Sequence, residues 1–496
     1  MAKMPKLRSD GKSKILLATV AFAFVAASLT ALPSATVQAL DEPEAWYLAD
    51  VGEEYEFPIT PESNPKDWAK STTAELIDQL QIPKQVLAEM STSELVGAVL
   101  AYPYFSDYLA FNTPQEGFNV IRQRFGALDE LLAREDAASA LLDVYQKADL
   151  HEVLATDDLP TLRLDFLEMM LAQPEILADS EQTVREDIVE AVVDKWEEKE
   201  LMFDGAVFGD NTSALITARA LVLDDPEFED IVAEDPSLGK FLDNGNGFFI
   251  ESEPWEELIE ETASEVEKAY ELELELPTPE DFVVPSTYEL NQSNGNTSAA
   301  RLGGYGYSVP VMKDQSHGFL QRLMADPSYG HHSSYATTPK GSIVNTLFAT
   351  REFTSKEISD RDAAIKKNYP NATKVRSASS KYNCHSYAFH NTAVSNDKWI
   401  ETPGMYTTDG SWKKSASQTL DVNASKPLAN RLNQRVVWGA GLAHSGIVIS
   451  STQVQSKWGQ NGLYKHAPNH SPYTYLNPNH PKEPAQLHYY TGPYYK

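Results

Sequence analysis

YNCHSYAFH, residues 382–390, contains Cys384, the single cysteine in this chain of 496 residues. Asn383 is a favourable N-cap residue, so we expect Cys384 to be the first residue of a helix. A thiol at that position lies at the positive end of the helix dipole, which lowers the pKa of the thiol and favours the thiolate. The alternative is a buried, unreactive cysteine that packs as a small apolar side chain.

A second segment, VVWGAGLAHSGIVISSTQVQSKWG (436–459), has the residue pattern of two or three β-strands. His444 begins an apolar strand, and Gly446 lies two residues along the same face, where it would leave room for a thiol. A cysteine at the start of a helix facing a histidine on a strand is an arrangement that supports nucleophilic catalysis. The sequence therefore predicts Cys384 as nucleophile and His444 as general base.

These two motifs resemble a known group of enzymes. Asn-Cys-His-Ser-Tyr-Ala (383–388) followed by His-Ser-Gly-Ile-Val (444–448) is similar to the NlpC-like and CHAP groups of papain-like cysteine peptidases and amidases. Many members of these groups cut bacterial cell-wall peptides. TPKGSIV (338–344) and SKWGQNGLYKHAPNHSPY (456–473) also resemble a secreted amidase-like branch, so the resemblance covers about residues 338–496. It implies an α+β fold with the catalytic helix packed on an antiparallel sheet.

The residue that orients the histidine is left open by the sequence. In the groups named above it lies on the strand after the histidine, which is TQVQSKWG (452–459) here. Lys457 falls near the position of the acid in CHAP enzymes, but an ammonium group cannot accept the imidazole N–H. Gln455 and Ser456 can accept it, although they point to opposite faces of the strand. His466 is a weaker candidate, since it follows a turn.

The N-terminus has the three parts of a secretory signal peptide. A basic start is followed by the apolar run ILLATVAFAFVAASLTAL (15–32) and by small residues that end at Val37-Gln38-Ala39. An uncleaved membrane anchor is the alternative, because the run approaches the ~20 residues that span a bilayer. We expect a signal peptide over 1–39 and an exported bacterial protein, extracellular or associated with the cell wall, with no membrane span after cleavage.

Charge divides the rest of the chain, whose total net charge is −31. Residues 40–300 contain 14 Lys and Arg against 60 Asp and Glu, whereas residues 301–496 contain 22 against 11. Such asymmetry is typical of separate domains and of partners with opposite charge. We therefore expect the acidic half to contact the basic half within the chain, or to bind another basic partner.

The predicted organisation is multidomain. An acidic all-α helical array is expected over 40–290, with helices near 81–103, 117–135, 162–173 and 184–202. Ser91 or Thr92 can cap one of them, and Glu94 completes a capping box. A linker or extended segment covers 291–337, and an α+β papain-like domain with an antiparallel sheet, of the NlpC/CHAP type, covers 338–496 with a helix near 354–367.

Two functions fit these features. The first is a secreted cysteine hydrolase that cleaves peptide or amide bonds, with a cell-wall peptide or a protein as substrate. The second is a secreted, non-catalytic interaction protein whose acidic helices bind a basic partner. No histidine pair is accompanied by an acid at metal-ligand spacing, so neither a metal nor another cofactor is expected. The basic residues do not form a recognisable nucleic-acid-binding module, so nucleic acid is not an expected partner.

Overall fold

The computed structural model describes residues 55–148, 150, 159–203, 210–234, 236–245, 282–283, 311–312, 331–349, 352–423, 428, 430–439, 443–476 and 483–493. They form an N-terminal helical region followed by a C-terminal antiparallel sheet, as the sequence predicts. The predicted signal peptide and the predicted boundary at residue 290 lie outside these residues. Among the described helices, none is long and apolar enough to cross a membrane.

Local capping and apolar spacing define the helices of the N-terminal region. The Ser91 side chain accepts a bond from the Glu94 backbone N–H, and the Glu94 carboxylate accepts one from the Ser91 N–H at 2.6 Å, which is the predicted capping box. The helices are α1 Pro65–Lys70, α2 Thr73–Gln79, α3 Lys84–Glu89, α4 Thr92–Leu100, a 3-10 helix Phe105–Ala110, α5 Pro114–Arg124, α6 Gly126–Leu132, α7 Ala137–Lys147, α8 Pro160–Leu171, α9 Pro174–Ala178, α10 Gln182–Phe203, α11 Asp210–Asp224, α12 Pro226–Glu234 and α13 Pro236–Asn244.

The prediction of one helix over 117–135 was wrong, because α5 and α6 are separated at Phe125. Phe125 has an extended backbone (φ −121°, ψ 94°), and its ring stacks on Tyr102 with centroids 4.0 Å apart. The Gln81 side chain donates to the carbonyl oxygen of Arg124 at 2.8 Å, which satisfies a group at the end of α5. These partners are distant in sequence, so helical periodicity could not reveal the break.

Eleven strands are present in the described residues. They are β1 Phe282–Val283, β2 Val311–Met312, β3 His331–Thr337, β4 Ile343–Ala349, β5 Thr373–Arg376, β6 Lys413–Thr419, β7 Arg435–Trp438, β8 His444–Val448, β9 Val454–Lys457, β10 Leu463–His466 and β11 Gln486–Thr491. An antiparallel sheet of seven strands has the order β5-β10-β9-β8-β7-β11-β6, while β1 pairs with β2 and β3 with β4. The predicted strands over 436–459 are β7, β8 and β9, and β3 lies at the end of the segment predicted as a linker.

The two faces of the seven-stranded sheet pack against different partners. On one face, Ile447 of β8 packs in a cluster with Tyr387, which belongs to the helical turn that follows Cys384. On the other face, Val448 belongs to the large core that includes the N-terminal helices. This alternation along one strand directs Ser445 and Ile447 toward the Cys384 turn, and His444 and Val448 toward the large core. The remaining helices are α14 Ser355–Asn368, capped by Thr354, and α15 Gly404–Thr408.

The helical region packs directly on the sheet region, and both belong to one compact unit within residues 45–496. The Tyr473 hydroxyl donates to the carbonyl oxygen of Ala110 at 2.5 Å, and the Gln460 N–H donates to that of Leu109 at 2.9 Å. Gly459 has a left-handed backbone (φ +50°), and a Cβ built there would lie 2.4 Å from the carbonyl oxygen of Phe111. The end of the 3-10 helix and the residue after it are therefore in close backbone contact with the turn between β9 and β10.

Candidate active site

Cys384 begins a short helical turn that continues as a π-helix over Ser386–His390. The Asn383 side chain caps this turn, since its Oδ1 accepts the Ser386 N–H at 3.1 Å. The same oxygen accepts the Ile400 N–H at 3.2 Å, and Nδ2 donates to the Ile400 carbonyl oxygen at 2.7 Å. Asn383 is fully buried, so these bonds fix both the start of the helix and the position of the thiol.

The Cys384 thiol is protonated at neutral pH in this conformation. Burial raises its pKa to about 12, and Glu116 adds to this, while the backbone N–H groups of Ser445 and His385 and the Lys457 ammonium lower it by smaller amounts. The side chain is only 2% exposed. Desolvation of the thiolate therefore outweighs the helix N-terminus, and the shift is opposite to the one expected from the sequence.

His444, the first residue of β8, is fully buried, and its backbone lies next to the thiol through the following residue. The Ser445 N–H acts on Sγ, so the thiol lies next to the peptide bond that joins His444 to Ser445. The His444 ring stacks on Tyr473 with centroids 3.4 Å apart and lies 5.0 Å from the Trp438 ring. Neither ring nitrogen has a hydrogen-bond partner among the described residues, so no hydrogen bond joins His444 to Cys384. Burial holds the pKa of His444 well below its usual range.

Two other buried histidines near the site have bonded rings. His385 Nδ1 lies 2.7 Å from Ser445 Oγ, and its Nε2 lies 3.2 Å from Asn112 Nδ2. His466 Nε2 lies 2.7 Å from Ser456 Oγ. Burial lowers the pKa of His385 to about 3 and that of His466 to about 4. Of these three rings, His444 alone leaves both nitrogens available.

The candidate orienting residues on β9 do not contact the His444 nitrogens. Gln455 donates to the Tyr387 hydroxyl at 2.5 Å on the face of the Cys384 helix, and the Ser456 hydroxyl is bonded to His466 on the opposite face. The side-chain amine of Lys457 donates to the carbonyl oxygens of Ser379 and Gly459 at 2.9 and 2.7 Å. The structure therefore places Asn383 and the Ser445 backbone at Cys384, whereas the His444 ring packs against Tyr473 and Trp438, and Gln455 and Ser456 have other partners.

Gly446 has a different role from the one expected. A Cβ at this position would lie 2.6 Å from Val454 Cγ1 and 3.0 Å from Ser456 Cβ. Both of these atoms belong to β9. The missing side chain therefore allows close packing of two neighbouring strands, and the space it leaves is filled by β9.

Asn112, from the N-terminal helical region, is a site residue that the sequence does not reveal. Its Oδ1 accepts from Asn383 Nδ2 at 3.0 Å and lies 4.0 Å from Cys384 Sγ. Its Nδ2 lies 3.2 Å from His385 Nε2. Asn112 is part of no motif, and only the packing of the two regions brings it to the thiol.

The described residues show no metal centre, and comparison with known proteins identifies no family. Among the described residues, no group of three or more His, Cys, Asp and Glu side chains is placed to hold a metal ion. Comparison of the chain with protein-family models, with curated proteins and with solved structures finds no match. The function is therefore argued from the geometry of Cys384 and His444.

Proposed function

We propose that the C-terminal region is a cysteine hydrolase of papain-like arrangement, with Cys384 as nucleophile and His444 as general base, in a closed resting conformation. The observation that carries this proposal is the imidazole of His444. It is fully buried, both of its nitrogens lack partners in the described part of the chain, and it belongs to the residue whose peptide bond borders the thiol. An unpaired buried polar group is costly, and a catalytic role is one explanation for its retention.

The proposed reaction is acyl transfer. In an open conformation His444 takes the thiol proton, and the thiolate forms a C–S bond with a peptide or amide carbonyl carbon. The imidazolium then protonates the leaving amine as the C–N bond breaks. Water attacks the resulting thioester, gives one proton to His444 and releases the acid, and the proton returns to the sulfur. The N–H groups of Cys384 and neighbouring backbone would stabilise the oxyanion.

Peptides of the bacterial cell wall are the proposed substrates, with protein amide bonds as the alternative. Export is supported by the sequence of residues 1–39, and a basic C-terminal half suits an anionic wall polymer. A cell-wall substrate would also account for the resemblance of the motifs around Cys384 and His444 to amidases that act there.

A second candidate function is a non-catalytic interaction protein with an acidic helical region. Burial of Cys384, which raises the pKa of its thiol to about 12, favours this candidate because an inert cysteine needs no thiolate. The two candidates differ in what they require of His444. A hydrolase requires that it lowers the pKa of the thiol once the site opens, and an inert scaffold does not.

The test is the pH-dependence of Cys384 alkylation by iodoacetamide in the full chain and in His444→Ala. A covered thiol reacts only when the site opens, so the absolute rate reports the opening, while the midpoint of the pH profile reports the thiol pKa in the open form. We expect a midpoint below pH 7 that moves to about 8.5, an ordinary cysteine value, in His444→Ala. A midpoint of about 8.5 or above in both proteins would refute the hydrolase and favour the second candidate.

A further inference from the structure

The orientation of the Asn112 side chain is fixed by its partners. Asn383 Oδ1 accepts two backbone N–H groups, so Nδ2 is the atom that Asn383 presents to Asn112. The Asn112 side chain therefore accepts this bond with its oxygen, and its amide nitrogen faces His385 Nε2 at 3.2 Å. Asn383 therefore donates a hydrogen bond to Asn112, and Asn112 donates one to His385.

The same chain fixes the tautomer of His385. Because Nε2 accepts from the Asn112 amide, the ring proton lies on Nδ1, from which it is donated to Ser445 Oγ at 2.7 Å. Ser445 in turn supplies the backbone N–H that acts on Cys384 Sγ. Asn112 thus influences the thiol by two routes, through the His385–Ser445 bond and through its own oxygen.

The Asn112 oxygen opposes ionisation of the thiol. It lies 4.0 Å from Sγ, and a carbonyl-type oxygen at this distance favours S–H over a negatively charged sulfur. Asn112 also occupies space above a side chain that is only 2% exposed. A substrate carbonyl cannot reach Sγ while the thiol is covered to this extent.

The segment that carries Asn112 is also tied to His444. Ala110 accepts the Tyr473 hydroxyl bond at 2.5 Å, and Phe111 packs edge-on against the Tyr473 ring with centroids 5.4 Å apart. Tyr473 is the ring on which His444 stacks. One movement of residues 110–113 would therefore uncover the thiol and release the ring that packs against the histidine.

We infer that Asn112 is a positioning residue that gates Cys384, and that residues 110–113 of the helical region act as an intramolecular cover of the nucleophile. The inference rests on the proposed function only in treating Cys384 as the nucleophile. It deepens that function, because the helical region then supplies a residue to the catalytic centre and controls access to it.

The first test compares iodoacetamide alkylation of Cys384 in the full chain, Asn112→Ala and Asn119→Ala. Asn119 lies in the same region, is exposed, and accepts a bond from Gln115 at 3.1 Å, so it is the matched control. At a fixed pH we expect a rate at least tenfold higher in Asn112→Ala and no change in Asn119→Ala. Equal rates in Asn112→Ala and the full chain, or equal acceleration in both variants, would overturn the inference.

The second test uses the tautomer of His385, which depends on the hydrogen bond from the Asn112 amide. The carboxylate that Asn112→Asp introduces can only accept hydrogen bonds, so this substitution should move the ring proton to Nε2 or charge the ring. Nitrogen-15 NMR of the imidazole distinguishes these states from the Nδ1–H form expected in the full chain. Retention of the Nδ1–H form in Asn112→Asp would contradict the inference. The midpoint of the alkylation profile tests the proposed function separately, because it depends on His444 and not on the opening rate.

Discussion

Among single residues, Lys457 is an ionisable residue whose amine is buried away from water. It is fully buried, its amine donates to the carbonyl oxygens of Ser379 and Gly459, and it lies 5.0 Å from the centroid of the Tyr382 ring. Burial lowers the pKa of Lys457 from 10.5 to about 7. Between these two values the unfolded chain binds a proton that the folded chain does not, so this residue makes the free energy of unfolding rise with pH above 7.

We expect Lys457→Met to remove this contribution. The free energy of unfolding of the full chain should rise relative to that of the variant by at most ~1.4 kcal/mol per pH unit between about pH 7 and about 10. Urea unfolding at several pH values in that window measures the difference. Lys465→Met is the control for the loss of a lysine that is only half-buried, on the adjacent strand β10. Parallel pH profiles for the full chain and Lys457→Met would contradict the prediction.

At the residue scale, the sequence predicts where local elements begin but not what packs around them. Cys384 and His444 stand out because each begins a local element, and the cap at Asn383 follows from its position before the cysteine. The direction of the thiol pKa shift could not be predicted, because it depends on burial under another region. The contact of Asn112 with Cys384 could not be predicted for the same reason, since no local pattern connects the two residues.

At the scale of elements, the turn between β9 and β10 determines how closely the two regions approach. Gly459→Ala would impose a side chain on a left-handed residue and drive its Cβ against the Phe111 carbonyl oxygen. We expect a loss of roughly 2–5 kcal/mol in the free energy of unfolding, from backbone strain and overpacking together. Urea unfolding followed by tryptophan fluorescence measures this loss.

A matched glycine separates the two contributions. Gly341 is also left-handed (φ +88°), but a Cβ there would meet nothing within 4 Å. Gly341→Ala should therefore cost only the backbone part, about 1–2 kcal/mol. An equal loss in the two variants would show that contact with residues 109–111 contributes nothing, and would remove the structural basis for a cover held in place by this turn.

Elements set by local chemistry were predicted well, and those set by distant contacts were not. The capping boxes at Ser91 and Thr354 define helix starts that appear in the structure within a residue of their predicted positions. The strands β7 to β9 follow from their apolar alternation. The break at Phe125 depends instead on Gln81 and Tyr102, which reach it only after the helices have packed.

At the scale of the whole molecule, the helical and sheet regions share one apolar core. Tyr369 packs against Tyr104 of the helical region and against Trp458, and the Tyr369 hydroxyl donates to Asp107 at 2.5 Å. Tyr473 packs against Phe111. The sequence predicted contact between the regions from their opposite charges, whereas these contacts are aromatic rings and hydrogen bonds, with Lys367–Glu62 as an ion pair at the same interface.

This composition of the interface predicts that the sheet region does not fold alone. Exposure of Tyr369 and Tyr473, which contact the helical region, would cost roughly 3–6 kcal/mol, which is a large part of the stability of a typical domain. We expect residues 331–496 expressed alone to lack near-UV circular dichroism and cooperative urea unfolding. A full chain cut at a protease site inserted after residue 300 is the control, and its two halves should stay together during size-exclusion chromatography.

The effect of salt on the association distinguishes charge attraction from apolar burial as the force that holds the halves together. Charge attraction between an acidic and a basic half would weaken as salt is raised from about 0.05 to about 1 M, because the screening length falls to a few ångströms. Burial of aromatic rings is not weakened by that change, so we expect the cut halves to coelute at both concentrations. Separation only at high salt would show that charge dominates. A fragment 331–496 that unfolds cooperatively would show that the sheet region is an independent domain, and the cover over Cys384 would then be a docked and separable body.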